Sequence, residues 1–228
     1  MEDQITLPRV EIETRSFITK VYGWMTAGLA MTGLVSLYMA SDPTLIIQLV
    51  SHKILFYGIM FTELGLVFSL AGWVHRMSTT AATMAFLLYA GLTGITLSTI
   101  FLAYTNASIA STFFITAATF GAMSFYGAVT KTDLTAFGNI CFMALLGVIL
   151  ASVVNIFLNS SAIYWITTYL GILVFVGLTA YDTQRIKAMS ALGDEDAERR
   201  ASITGALALY LDFINLFIMT LRLTGRRR

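Results

Sequence analysis

Three acidic side chains, Glu63, Asp182 and Asp212, lie inside strongly apolar stretches of this chain. A charged acid at the centre of a membrane helix costs about 2.5–3.5 kcal/mol on insertion scales. Such an acid therefore faces the interior of a helix bundle, finds a partner or binds a proton. A single acid of this kind is explained equally well by a functional role and by a structural one, in which a hydrogen-bonded acid holds helices together. Glu63 thus either extends a cation path or stays a neutral buried acid, whereas the two aspartates point more strongly to chemistry.

Asp182 and Asp212 are predicted to lie at a similar depth. Asp182 stands five residues before Lys187, about 7.5 Å along a helix, and Asp212 lies about 12 Å into the last apolar stretch from the same side. If the two carboxyl groups meet, both cannot stay ionised without a cation, and they would share a proton as a pH-sensitive pair. Carboxylate oxygens also suit Ca²⁺, and Asn215, one helical turn from Asp212, adds an amide on the same face.

Two basic residues could reach this pair of aspartates. His75 and Arg76 end the second apolar span on the same predicted side of the membrane. An arginine bound to Asp182 would keep it ionised and brace two helices, and protonation of the aspartate pair would weaken that brace. For His75 an interfacial position is favoured over catalysis. Lys131 and Arg185 are interpreted as anchors whose charged ends reach the membrane surface.

The composition of the chain is that of a membrane protein. Of its 228 residues, 57% are hydrophobic and 12% are charged, against about 25% charged in soluble domains, and the mean hydropathy is +0.78. The net charge of +1 gives no reason to expect a nucleic acid partner. The single cysteine, Cys141, excludes a disulfide framework and is interpreted as a small core residue.

Uncharged stretches of spanning length divide the chain. A membrane helix needs about 20 apolar residues, and backbone in hydrocarbon has to satisfy its own hydrogen bonds. The uncharged stretches 77–130 and 134–181 are each broken by a polar segment and hold two spans apiece. The sequence therefore predicts an all-α membrane protein with seven transmembrane helices, at about 18–41, 53–75, 80–104, 108–130, 135–158, 163–184 and 203–222. These form one domain, 18–223, between an N-terminal tail, 1–17, and a basic C-terminal tail, 224–228.

The distribution of basic residues predicts a cytoplasmic N-terminus, because cytoplasmic segments carry the excess of lysine and arginine. With this orientation the outer loops hold Lys53 as their only basic residue. The charged stretch 193–200 is then a solvated cytoplasmic loop. Seven spans nevertheless place an arginine-rich C-terminus outside: Arg222, Arg226, Arg227 and Arg228. Either the six earlier spans dominate or the last helix is re-entrant, and a full span is favoured.

Small residues are frequent in two apolar stretches, 90–98 and 120–128. In membranes, small residues let helix backbones approach each other closely. These stretches are therefore interpreted as packing surfaces between helices and not as binding sites.

Five segments of the chain carry a family resemblance. They are VYGWMTAGL (21–29), GLTGITLS (91–98), FGAMSFYG (120–127), VGLTAYDTQRIK (176–187) and LALYLDFINLF (207–217). In these segments, which cover most of the chain in order, the protein resembles the Bax inhibitor-1 family, also called the transmembrane Bax-inhibitor-motif family. It looks most like the bacterial YbhL/YccA/YetJ-like branch. The last two segments are the most specific.

The resemblance implies seven helices with the seventh at the centre of the other six, in a bacterial inner membrane. It also implies a pH-sensitive calcium leak that needs no cofactor, with Ca²⁺ as the transported or bound ion and H⁺ as the signal. Asp182 and Asp212 match the family's pH-sensing pair. Arg76 matches the arginine that closes the pore on the first aspartate, and His75 takes that place if the register shifts by one residue. Glu63 matches the acid of the second helix.

Two other classes of function are alternatives to a leak. An intramembrane aspartyl protease also pairs aspartates, but it needs a Gly-x-Gly-Asp motif, and here Asp212 follows Leu-Tyr-Leu. No enzyme is therefore expected. The main alternative is a non-transporting interaction protein that modulates a membrane-bound protease or a stress or cell-death response. Such a protein needs no aspartate pair, and charge reversal in 193–200 or in the N-terminal tail would affect it most.

Overall fold

A computed structural model describes the backbone of residues 3–191 and 195–228 and the side chains of 14–190 and 196–228. Within these ranges the chain is helical, as the sequence predicts. The α-helices are α1 (Asp3–Ser41), α2 (Pro43–Ser51), α3 (Lys53–Trp73), α4 (Thr79–Leu97), α5 (Ile100–Ala103), α6 (Asn106–Val129), α7 (Thr135–Leu158), α8 (Ser161–Ala188) and α9 (Glu195–Thr224). Short 3-10 helices follow α3 at Val74–Arg76 and α8 at Met189–Ala191.

The described residues contain six helical segments that are long and apolar enough to cross a membrane. A seventh span results if α1 and α2 are counted together, and these two helices are bent by 97° at the break between them. Asp42 stands at this break, where its carboxylate accepts hydrogen bonds from the backbone and hydroxyl of Thr44. These hydrogen bonds cap the N-terminus of α2 and lower the pKa of Asp42. The described helices thus number six spans, or the predicted seven if α1 and α2 together form one span.

The first and last helices begin earlier in the chain than the predicted spans. Helix α1 begins at Asp3, far before the predicted span at 18–41, so the described part of the predicted tail continues the membrane helix. The predicted loop 193–200 includes residues outside the described ones, and from Glu195 onward it forms the first turns of α9. Lys20 and Glu198 are joined by an ion pair of 2.8 Å. Both extensions contain glutamate and arginine residues, which have good helix propensity.

Helix α9 continues without a break through Asp212 to Thr224. Its 30 residues correspond to about 45 Å, more than the roughly 30 Å of a hydrocarbon core. This continuity agrees with a full span and not with a re-entrant segment. The apolar window of α9 is 67% buried, against 6% for the span that contains α3. Its place at the centre of the other helices stays a prediction.

The chain divides into two compact units. The first consists of Met1–Ala103 and Met189–Tyr210, and in it α4 packs against α1 and α3. Gly94 of α4 lies so close to the Thr32 carbonyl of α1 that an added Cβ would come within 2.8 Å of it. The interpretation of 90–98 as a packing surface is confirmed at this glycine.

Tyr210 fills the core of the first unit. Its side chain is 0% exposed, and its hydroxyl lies 2.6 Å from Thr32 Oγ1. Because the Thr32 hydroxyl donates to the Ala90 carbonyl, Tyr210 donates to Thr32. The Tyr210 ring packs edge-on against Phe86 and Tyr89.

Tyr210→Phe keeps these ring contacts and removes one buried hydrogen bond. We expect the free energy of unfolding in detergent to fall by about 1 kcal/mol. Tyr38→Phe, at an exposed position of α1, is the matched control and should leave stability unchanged. Equal stability of the two variants would contradict the hydrogen bond to Thr32.

The second unit consists of Tyr104–Ala188 and Leu211–Arg228. Helix α8 packs against both α6 and α7. Cys141 of α7 is buried, and an added Cβ at Gly177 of α8 would come within 2.7 Å of its sulfur, so the thiol is a core residue as predicted. Asn159 ends α7 in the left-handed conformation, with φ 48°, and so breaks the uncharged stretch where the sequence becomes polar.

Candidate carboxyl pair

Asp182 of α8 and Asp212 of α9 meet in the second unit. Their carboxyl groups lie within reach of a mutual hydrogen bond. Asp212 is 3% exposed and Asp182 is half-buried. Oδ2 of Asp212 has no hydrogen-bond partner among the described residues. Since an ionised carboxylate only accepts hydrogen bonds, two carboxyl groups can bond each other only if one of them carries a proton. The geometry therefore suits a shared proton.

Two glycines hold the end of α8 that carries Asp182. Gly127 of α6 lies against the Ala180 backbone, and an added Cβ there would fall on the Ala180 carbonyl oxygen. Gly138 of α7 lies against the ring of Tyr181 in the same way. The two residues before Asp182 are thus held from both sides. The sequence pattern indicated close packing at 120–128, but not that this packing positions an aspartate.

The residues after Asp182 are tied to α6 and to the loop between α6 and α7. The hydroxyl of Thr183 lies 3.3 Å from that of Ser124. Gln184 donates to the Thr132 carbonyl at 2.9 Å, and its side-chain oxygen accepts from the Leu134 amide at 2.8 Å. These hydrogen bonds attach the last turns of α8 to a neighbouring helix and to the loop that follows it. Asp182 therefore sits on a rigid support.

Arg185 is the cation that the structure places beside Asp182. It lies three residues further along α8, on the same side of the helix, and acts electrostatically on the aspartate. The sequence predicts an anchor at the membrane surface for Arg185, and in the structure its side chain is exposed. Arg76 and His75 are both exposed and end the 3-10 helix after α3, in the first unit. The pairing of Arg76 with Asp182 stays a prediction.

The two other predicted site residues have polar partners of their own. Glu63 is half-buried in the first unit, where it accepts a hydrogen bond of 3.0 Å from the Thr96 hydroxyl. Asn215 is half-buried in the second unit, one turn from Asp212, and its amide nitrogen donates to the Leu211 carbonyl at 2.8 Å. That amide nitrogen thus stabilises its own helix.

Comparison with known proteins identifies the family. Residues 14–228 match the family described as inhibitor of apoptosis-promoting Bax1. The chain belongs to the Bax inhibitor family. It is 50% identical to the inner membrane protein YbhL of Escherichia coli K12 over 99% of this chain and 97% of YbhL. It is also 42% identical to a protein of Borreliella burgdorferi, over 93% of this chain and 92% of that protein. The family predicted from the sequence is confirmed, and the protein is a multi-pass membrane protein of that family.

The carboxylate oxygens of Asp182 and Asp212 are the kind of ligand that a hard cation such as Ca²⁺ prefers. Ca²⁺ takes six to eight oxygen ligands, and Asp182 and Asp212 together supply four carboxylate oxygens. The described residues contain no group of three or more His, Cys, Asp or Glu side chains that could hold a metal. The two carboxyl groups alone would therefore leave the other coordination positions of a calcium ion to further ligands or water.

An aromatic cluster follows Asp212 along α9. The rings of Phe213 and Phe217 meet Phe113 of α6 at centroid distances of 5.5 and 6.5 Å, and Phe120 meets Phe213 at 5.5 Å. Phe120, Phe213 and Phe217 are buried. These rings therefore form packed core between α6 and α9 in the second unit.

Proposed function

We propose that this member of the Bax inhibitor family is a pH-sensitive calcium leak of a bacterial inner membrane, with its N-terminus in the cytoplasm. The observation that supports the proposal is the meeting of two carboxyl groups inside the second unit, with Asp212 3% exposed. Placing a lone acid there would be costly, and two acids side by side are tolerated only with a shared proton or a cation. That requirement couples the state of the site to pH.

The gating step is a change of charge at the pair. With one shared proton the pair keeps a negative charge, which binds the guanidinium of Arg76 and holds the leak closed. A second proton removes that charge, so Arg76 loses its partner and the leak opens. Flux is therefore expected to rise as the pH falls. Ca²⁺ then passes the pair as a hydrated ion, and Glu63 and Asn215 are proposed to line the path beyond it.

The test is calcium influx into liposomes that contain the purified protein and a calcium-sensitive dye. Flux is recorded between about pH 5 and pH 8, the range in which groups near neutrality titrate. Higher flux at low pH than at high pH supports the leak. Flux no higher than in empty liposomes at every pH, from protein whose helical circular dichroism is intact, would contradict it and favour the interaction protein.

Arg76→Ala is expected to leave the leak open at neutral pH, because the aspartate pair then has no latch. Flux near pH 8 should rise to the level that the natural protein reaches near pH 5. His75→Ala is the matched control, since it removes the neighbouring exposed side chain of the same 3-10 helix. If His75→Ala opens the leak and Arg76→Ala does not, the histidine is the latch and the assignment of Arg76 is wrong.

A further inference from the structure

Residues 225–228, which we call the C-terminal strap, fold back onto the segment between α5 and α6. The Arg226 amide donates to the Ser108 hydroxyl at 3.0 Å, and the Arg226 carbonyl accepts from the Thr105 amide at 3.1 Å. Arg227 forms an antiparallel bridge with Tyr104. The strap begins at Gly225, where an added Cβ would collide with the Leu221 carbonyl. The basic C-terminus is thus an ordered part of the second unit.

The arginines at this end of the unit are held by neutral groups. The guanidinium carbon of Arg222 lies 5.6 Å from the ring centroid of Tyr164, and Nη2 of Arg227 lies 3.5 Å from the hydroxyl of the same tyrosine. Nη2 of Arg228 lies 3.1 Å from Oδ1 of Asn106. None of these arginines forms an ion pair within the described ranges 14–190 and 196–228. Arg222 and Arg227 are therefore held at the same tyrosine, with Arg228 next to Arg227 in the chain, and no side-chain carboxylate of the described residues pairs with them.

We propose that Arg222, Arg227 and Arg228 form a binding site for the phosphate of an anionic phospholipid. Arginine matches phosphate because its planar donors bond two oxygens at once. Tyr164 orients two of the guanidinium groups, and the hydrogen bonds of the strap hold Arg227 and Arg228 in place, so little order is lost on binding. Each arginine near a membrane surface adds about 1 kcal/mol, or about fivefold in affinity, to the attraction of anionic lipid.

A lipid, and not a free phosphate ion, is the ligand that the surroundings favour. The strap follows directly after α9, which is long enough to cross a membrane, so its arginines lie where lipid headgroups begin. Trp165 follows Tyr164 in α8, is 41% exposed and stacks on Tyr169. Exposed tryptophan and tyrosine are typical of residues at the level of headgroups. The arginine site thus lies beside aromatic residues of the kind found at the level of headgroups.

This proposal does not depend on the calcium leak. Arg222 lies ten residues after Asp212 on α9, about 15 Å along the helix. On α8, Tyr164 and Asp182 stand near opposite ends of the helix. The arginine site and the carboxyl pair therefore occupy opposite ends of the second unit, and either can be removed by mutation while the other is kept.

The test uses Trp165 as a reporter in a protein that carries Trp24→Phe and Trp73→Phe, since the chain has three tryptophans. This protein is placed in nanodiscs with brominated phosphatidylglycerol or, at the same mole fraction, brominated phosphatidylcholine. Stronger quenching by phosphatidylglycerol is expected. Arg227→Gln should lower the preference for phosphatidylglycerol about fivefold, and the triple variant Arg222→Gln, Arg227→Gln, Arg228→Gln should abolish it. Arg227→Lys keeps the charge and should retain most of it.

Lys131→Gln is the matched control, because it removes one exposed charge of the same unit far from the strap. It should leave the preference intact. Equal quenching by the two lipids in the reporter protein would overturn the proposal. An unchanged preference in the triple variant, or an equal loss in Lys131→Gln, would overturn it as well. Reversal of the phosphatidylglycerol quenching by inorganic phosphate, beyond that by chloride of equal ionic strength, would assign the site to free phosphate and contradict a lipid ligand.

Discussion

Asp212→Asn is expected to abolish the pH dependence of calcium flux in liposomes. The substitution leaves the shape of the buried side chain almost unchanged and removes the second carboxyl group with which Asp182 shares its proton. Asp182 then stays ionised against the guanidinium of Arg76, because an opposite charge favours the charged form, so flux should stay low across the pH range in which the flux of the natural protein rises. Asp182→Asn should also be flat, but high at every pH, because Arg76 then has no carboxylate to bind.

Asp196→Asn is the control for both aspartate variants. It is the same change on an exposed residue of α9, and its response to pH should equal that of the natural protein. A pH response that survives unchanged in both Asp182→Asn and Asp212→Asn would show that another group senses pH. Glu63, half-buried beside Thr96 in the first unit, would be the next residue to replace.

Gly127→Ala is expected to lower the free energy of unfolding by about 1–3 kcal/mol, which is the usual cost of forcing an extra methyl group into a packed core. The added Cβ would fall on the Ala180 carbonyl oxygen. Because both groups belong to the helix backbones, neither can rotate away, and α6 and α8 have to separate. The measurement is thermal or denaturant unfolding in detergent, followed by circular dichroism.

Gly121→Ala, on the same helix, provides the matched control. An added Cβ at Gly121 meets no heavy atom within 4 Å. Alanine has the higher helix propensity, so this variant should be as stable as the natural protein or up to about 1 kcal/mol more stable. Equal effects of the two substitutions would contradict the close approach of α6 and α8. Separation of these helices at Ala180 should also shift Asp182 and blunt the pH response of the leak.

The carboxyl pair could be predicted because its signal is local. Each aspartate interrupts an apolar stretch, and depth can be counted along a helix from the nearest charged residue, so the sequence predicts that Asp182 and Asp212 lie at a similar depth. The support of the pair could not be predicted in this way. Gly127 and Gly121 look alike in the sequence, and only the packing of α8 distinguishes the glycine that contacts Ala180 from the one that does not.

The ends of the chain were harder to predict than its spans, for a physical reason. Hydropathy limits where a helix can lie in hydrocarbon, but it does not say where the helix stops in water. Helix α1 therefore begins well before the apolar stretch, and α9 starts inside the predicted loop. In the sequence, the arginines at the C-terminus are an exception to the predicted distribution of charge. Their folding onto Ser108 and Tyr164 depends on contacts more than 60 residues away in the chain.

The buried thiol of Cys141 makes the natural chain a suitable starting point for chemical mapping of its orientation. A membrane-impermeant maleimide has no exposed cysteine to modify, because the chain has one cysteine and that one lies in the core. One introduced thiol, at exposed Ser51 or at exposed Asp133, would then be the reactive position. Labelling in intact cells compared with inverted vesicles would assign each loop to a face of the membrane, without first engineering a cysteine-free protein.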